Sequence, residues 1–168
     1  IVARATGGAN AGHTIYIPSK ENPEETKKYI FHLIPSGMMH ENKTCIIGNG
    51  VVIHVPTLLE ELNVLEENGI STTGRLLISD RAHIVFDYHK EVDGIEEDSR
   101  GDKKVGTTKR GIGPAYMDKM KRSGVRMHHM VDEEMFEKKV MANFNFHKKV
   151  YGGLKHDIKE ELQRFREY

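Results

Sequence analysis

The run Cys45-Ile-Ile-Gly-Asn-Gly-Val-Val-Ile-His-Val55, followed at once by Pro56 and an amphipathic stretch, constrains the fold more than any other part of the chain. Residues 45–47 and 51–55 are short, apolar and rich in β-branched side chains, which suits buried strands. Gly48-Asn49-Gly50 between them reads as a turn, so the segment is predicted as strand, turn, strand. A helix is predicted next. Thr57 and Glu60 have capping-box spacing behind Pro56, Leu58, Leu62 and Leu65 repeat on one face, and Asn68-Gly69 supplies a left-handed stop.

The alternation continues. Residues 75–79 and 82–86, centred on Leu76-Leu77-Ile78 and Ile84-Val85-Phe86, form a second strand-like pair, and the acidic, polar stretch 91–102 reads as solvated. Phe136, Val140 and Phe144 predict a helix over 132–150. Ile158, Leu162 and Phe165 predict another after Gly152-Gly153, with the Lys and Glu of 157–167 on an exposed face. The pattern is α/β with a helical end. Ile1-Val2-Ala3-Arg4 reads like the middle of a strand with nothing before it, as a fragment would begin.

The 168 residues make one ordinary domain or a large piece of one. No stretch approaches the roughly 20 continuous apolar residues of a membrane span, and the polar residues 4–14 do not form a signal peptide's apolar core. Cys45 is the only cysteine. It permits neither an intramolecular disulfide nor a thiolate zinc cluster, suits a reducing cytosol, and in its apolar run reads as an inert core residue. Formal net charge is zero, yet residues 103–126 hold eight Lys and Arg against the single acid Asp118, so an anionic partner is expected for this stretch.

Two glycine-rich loops could carry chemistry. In Gly7-Gly-Ala-Asn10-Ala-Gly12-His13-Thr14, three glycines let backbone N–H groups approach an anion, and Asn10, His13 and Thr14 add side-chain donors. A histidine there could stabilise charge on a phosphoryl oxygen or transfer a proton. A glycine turn whose Asn10 and His13 serve local backbone groups fits the composition equally. In Gly106-Thr-Thr-Lys-Arg-Gly-Ile-Gly-Pro-Ala-Tyr116, Gly106 and Gly111 have Walker A separation, but Ile112-Gly113 stand where Lys-Ser/Thr must be, so it is no P-loop. Two hydroxyls and two cations suit a phosphate monoester, with a solvated basic loop as the alternative. The ten histidines are scattered without HExxH spacing, which argues against a transition-metal site.

Taken together, these segments resemble adenylosuccinate synthetases. The matching pieces are Arg4 with Gly7-Gly-x-Asn-Ala-Gly-His-Thr14, Phe31-His-Leu-Ile-Pro-Ser-Gly37, Ile46-Ile-Gly-Asn-Gly-Val-Val52, Arg75-Leu-Leu-Ile-Ser79 with Arg81-Ala-His83, and Gly106 to Tyr116. The resemblance implies a P-loop-related α/β fold with a central, mostly parallel sheet, residues 1–131 forming the α/β portion with its phosphate and IMP loops and 132–168 a helical segment. It implies a GTP-dependent ligase that joins IMP to L-aspartate with Mg²⁺, acts as a cytoplasmic homodimer, and contacts neither membrane nor nucleic acid. By the same resemblance His13 is the catalytic histidine. Asn10, Ala11, Gly12, His13 and Thr108 contact IMP, Thr108 at its 5′-phosphate, and Arg122 reaches IMP across the dimer interface. Gly12, His13 and Thr14 line the GTP phosphates, and the Gly12 carbonyl is a Mg²⁺ ligand.

The departures matter as well. Family members begin with a Gly-Asp-Glu-Gly-Lys-Gly loop carrying the catalytic base, and end with a portion that reads IMP, aspartate and guanine; neither lies in this chain. Smaller differences inside the matched part are Ala9 in the glycine loop and His54 where an aspartate commonly follows the valine run. The 168 residues are therefore expected to be inactive as a ligase in isolation. A non-catalytic module binding a polyanion or nucleic acid through residues 103–126 is the competing reading; only Tyr116 interleaves an aromatic ring there.

Overall fold

The apolar run 45–53 forms one strand, and that strand organises the chain. In a computed structural model describing residues 1–18, 22 and 24–168, the elements are β1 (Val2–Gly7), β2 (His13–Pro18), β3 (Thr26–Phe31), β4 (Cys45–Ile53), α1 (Val55–Glu67), β5 (Leu76–Ile78), β6 (His83–Ile84), α2 (Asp87–Ser99), α3 (Ile112–Lys121), α4 (Glu133–Tyr151) and α5 (Ile158–Phe165). β1 runs parallel to β4 from Val2 opposite Cys45 to Gly7 opposite Val51. β5 pairs in parallel with the start of β4, and β6 with Val52 and Ile53 at its end. β2 and β3 form a separate antiparallel pair, which the sequence pattern did not predict.

Gly48-Asn49-Gly50 is not a turn. Between Arg4 and Thr6 the β1 register slips, so that Arg4 faces Ile47 but Thr6 faces Gly50. The irregularity presses the two backbones together: a Cβ on Gly50 would lie 2.1 Å from the Ala5 carbonyl oxygen, and one on Gly48 would lie 3.3 Å from that of Arg4. Glycine inside a strand marks such a close approach as readily as it marks a turn.

Helix α1 starts two residues before the expected cap. The His54 imidazole accepts from the Thr57 N–H at 3.3 Å, and Pro56 occupies the first turn, where its missing N–H costs nothing. The stop falls as predicted, with Asn68 as C-cap and Gly69 at φ +70°. The stretch 91–102 is largely helical rather than solvated loop. It belongs to α2, whose Tyr88, His89, Val92 and Glu97 are buried despite the acidic composition. Both predicted C-terminal helices form, α4 with Asp132 accepting from the Met135 N–H and α5 with Asp157 accepting from Lys159 and Glu160. On α5, Glu161 is buried rather than exposed, accepting from the Asp87 N–H at 2.7 Å and meeting His156 Nε2 at 2.8 Å.

One apolar core joins sheet and helices. Phe31, Ile47, Val51 and Ile53 from the strands share a cluster with Phe86, Phe136, Phe144 and Phe165, and Phe86 stacks on Tyr88 at 5.4 Å and meets Phe165 at 5.2 Å. Cys45 is fully buried, as expected. Inside the helical layer, Asp118 of α3 receives His89 Nε2 of α2 at 3.0 Å and His147 Nε2 of α4 at 2.9 Å, both on one carboxylate oxygen. Burial alone would raise the Asp118 pKa, but the two imidazoles outweigh it and hold the carboxyl well below its usual range. Burial also lowers His89, and it lowers His83 to about 4.

These packing relations carry two predictions. Gly50→Ala forces β1 away from β4 and should destabilise by about 1–3 kcal/mol, whereas Gly94→Ala, in the interior of α2 with nothing within 4 Å, should stabilise by about 0.5–1 kcal/mol; urea unfolding of the two variants checks both. Stability should also fall with acid. His83 and His89 are neutral when folded but take up protons on unfolding once pH drops below about 6.5, so the urea midpoint should decline from that pH toward 4. Asp118, with its pKa depressed on folding, adds its own loss below about pH 4. A midpoint constant between pH 7 and 5 would contradict this account.

Candidate functional site

The glycine loop between β1 and β2 is held from three sides. Gly7, at φ +88°, donates its N–H to the Tyr116 hydroxyl at 2.8 Å, and the same hydroxyl donates to the Gly50 carbonyl at 2.7 Å. Gly8 has no room for a side chain, since a Cβ would meet Ile112 Cδ1 at 2.7 Å and Val52 at 2.9 Å. The Arg4 guanidinium donates to the Gly8 carbonyl at 2.7 Å and to the His32 carbonyl. Asn10, Ala11, Gly12 and Thr14 are exposed beyond these anchors, and His13 is half-buried at the start of β2.

The His13 ring lies 6.2 Å from Phe31, and its Nε2 is buried without a hydrogen-bond partner among the described residues. Burial is the main cause that lowers its pKa, and the Arg4 charge adds to this; Glu61 and a hydrogen bond to the Ile34 backbone oppose it. The ring is therefore neutral near pH 7 until an anion arrives to favour the charged form.

The second loop is tethered by acids that sequence reading placed in solvent. Glu97 accepts from the Gly106 N–H at 2.6 Å, while Asp93 accepts from the Thr107 hydroxyl at 2.8 Å and from the Gly111 N–H at 3.0 Å. Gly111, at φ +71°, packs so tightly on α2 that a Cβ would lie 2.8 Å from the His89 backbone. α3 then starts at Ile112 with no capping side chain of its own and no acid in its first turn, but the Asp93 carboxylate on the Gly111 N–H stands at its positive end. Asn10 of the first loop and Thr108 of the second line one cleft of about 340 Å³, together with Gly106, Thr107 and Gly113. Asp93 and Glu97 border it too, but with carboxylates already bound to the loop.

The two motifs thus converge, though incompletely. His13 does not line the cleft that Asn10 and Thr108 share. Arg122 lies elsewhere, exposed at the left-handed C-cap of α3 with φ +62°, in a cationic hollow with His83, Arg126, His128, His129 and Lys139. Three other cations of the basic stretch have local partners: Lys104 pairs with Asp98 at 3.0 Å, Lys119 donates to the Asn49 carbonyl at 2.8 Å, and Lys121 covers the Phe146 ring at 4.9 Å. These three are engaged within the fold.

As for metals, the exposed Gly12 can offer one carbonyl, but residues 7–14 contain no carboxylate. A hard dication takes several oxygens, carboxylates among them, so the Gly12 carbonyl by itself does not make a site. His89, Asp118 and His147 are the one group among the described residues with ligand atoms close enough to hold an ion. There His89 Nδ1 accepts the Phe86 N–H at 3.0 Å, which puts the ring proton on Nε2, facing Asp118. The trio is a hydrogen-bonded tie rather than a ligand set.

Sequence reading quoted Arg4 and Tyr116 within the matching motifs but gave neither a role, and it missed the tethering acids and Glu61. Glu61 left a signal of its own, since it shares the buried face of α1 with Leu58 and Leu65, where a charge demands a partner.

Comparison with known proteins agrees with this architecture. The family model of adenylosuccinate synthetase matches residues 1–168. Adenylosuccinate synthetases of Acetivibrio thermocellus and Phaeodactylum tricornutum are 51% and 49% identical over 100% and 96% of the chain, and a chloroplastic one of Ostreococcus tauri is 47% identical over 99%. The chain spans 39%, 30% and 34% of their respective lengths. A solved structure of fully ligated adenylosuccinate synthetase from Plasmodium falciparum superposes with a TM-score of 0.86 at 37% identity, covering 99% of this chain and 38% of that one. With a family model matched along its whole length and relatives at about half identity, the chain belongs to the adenylosuccinate synthetase family.

Proposed function

We propose that the full-length protein joins IMP to L-aspartate with GTP as phosphoryl donor. The γ-phosphoryl moves to the purine O6, the aspartate amine then displaces phosphate at C6, and adenylosuccinate, GDP, phosphate and two protons result. The observation that carries this reading is the meeting of Asn10 and Thr108 in one cleft, their loops coupled by the Tyr116 hydroxyl. Such chemistry needs positioning and charge neutralisation more than covalent participation, and glycine-lined backbone that lets N–H groups approach phosphate suits it.

In this reading Asn10, Ala11, Gly12, His13 and Thr108 receive IMP, with the 5′-phosphate at Thr108. Gly12, His13 and Thr14 face the GTP phosphates. The His13 Nε2 has the lone pair and the vacancy needed to take up a proton as phosphate approaches and hold it toward the transferring group. The Gly12 carbonyl would be one ligand of Mg²⁺, which when bound neutralises phosphate charge. Arg122 would reach IMP only in a homodimer, which its exposed position outside the cleft allows. A reducing compartment such as the cytosol suits the single buried cysteine.

In the full-length protein, His13→Ala should cut kcat by about 10²–10³ with smaller changes in KM. Thr108→Ala should instead raise the KM for IMP by roughly tenfold. Tyr116→Phe, which leaves the Gly7 N–H unmatched, should lower kcat/KM for both nucleotides. Adenylosuccinate formation measured under saturating and limiting IMP separates these effects. Wild-type turnover by His13→Ala would sink the assignment.

A further inference from the structure

The half-buried His13 stands beside a polar network that neither loop motif explains. Glu61, on the inner face of α1, is 6% exposed. Its Oε1 accepts from the His32 N–H at 2.5 Å, and its Oε2 from those of Leu33 and Ile34 at 3.0 and 2.9 Å. Three successive amides at the end of β3 are thereby fixed by one carboxylate. Across from it, Arg4 of β1 holds the next carbonyl, that of His32, with one arm and the Gly8 carbonyl of the glycine loop with the other. The same two segments enclose His13: Phe31 packs on its ring, Ile34 hydrogen-bonds it from the backbone, and the His32 ring fills the space at Gly12, where a Cβ would lie 3.1 Å from its Nε2.

We propose that Arg4 and Glu61 are positioning residues for His13, a two-sided brace that locks residues 31–34 against the glycine loop so that the imidazole is presented in one place with its Nε2 free. This rests on the reading of His13 as the catalytic histidine. Burying a guanidinium and a carboxylate is costly unless each is bound by several partners. Here Arg4 holds two carbonyls and Glu61 three amides, in the glycine loop and in residues 32–34 that flank His13, while Arg4 Nε has no partner among the described residues. A core needing only stability could fill the same volume with apolar side chains. The charged groups facing His13 are Arg4 from β1, Glu61 from α1 and His32 beyond β3.

Charge-preserving variants separate geometry from charge. Arg4→Lys keeps the cation but cannot hold both carbonyls, and Glu61→Asp keeps the anion but withdraws it from the three amides. In the full-length protein each should lower kcat by about 10- to 100-fold while the KM values for IMP and GTP change by less than about threefold. Thermal unfolding, run in parallel, must show both variants folded at the assay temperature. If folded Arg4→Lys and Glu61→Asp keep wild-type kcat, or lose it only in proportion to the loss of folded protein, the brace has no positioning role. KM values for IMP and GTP that rise as far as kcat falls overturn it equally, because a loosened binding loop would then be the cause. Failure of the functional reading would look different: full turnover by His13→Ala.

Discussion

The close backbone approach of β1 to β4 at Gly48 and Gly50 is the constraint on which the rest of the molecule depends. With a Cβ at Gly50 the two strands could not lie where they do. Their contact decides where β1 ends and therefore where the glycine loop begins. It also puts the Gly7 N–H and the Gly50 carbonyl close enough together for one hydroxyl, that of Tyr116, to serve both. A strand irregularity thus aligns α3 with the first loop, and the two loop motifs with each other.

Acidic side chains do much of the remaining organisation, and they do it by binding backbone. Glu61 takes the amides of residues 32–34, Asp93 and Glu97 take those of Gly111 and Gly106, and Glu161 takes that of Asp87. A charged acceptor gives stronger hydrogen bonds than a neutral one, so loops with little apolar surface can still be held in one conformation. Asp118 works differently, tying α2, α3 and α4 together through two imidazoles. Balanced composition conceals this division. The acids turn inward to shape loops, while Arg122 and Arg126 remain at the surface.

What could be read from the sequence followed periodicity and spacing. The helices over 133–151 and 158–165 were visible because their apolar residues repeat at helical spacing and Gly152 ends the first in the left-handed region. Strands were legible in outline from β-branched runs, while the parallel arrangement came from the family resemblance alone. Helix α2 was not, because its buried residues are few and its acids outnumber them; the burial of Glu97 is explained by an amide nine residues further along, not by local pattern. β2 alternates half-buried with exposed residues, but β3 opens on the exposed Thr26, Lys27 and Lys28, and the pair was not found from the sequence.

The sequence by itself determined the chemistry on offer: glycines that admit phosphate, a histidine with a proton to manage, hydroxyls and cations in a second loop, and the family to which their order belongs. Only the tertiary structure decided which of these meet. Asn10 and Thr108 line one cleft, Arg122 does not join them in the same chain, and Gly-Asn-Gly became a strand contact instead of a turn. The reason is that glycine and carboxylate carry no directional preference in sequence. What they do is set by the backbone that comes close to them, and that backbone arrives from distant parts of the chain.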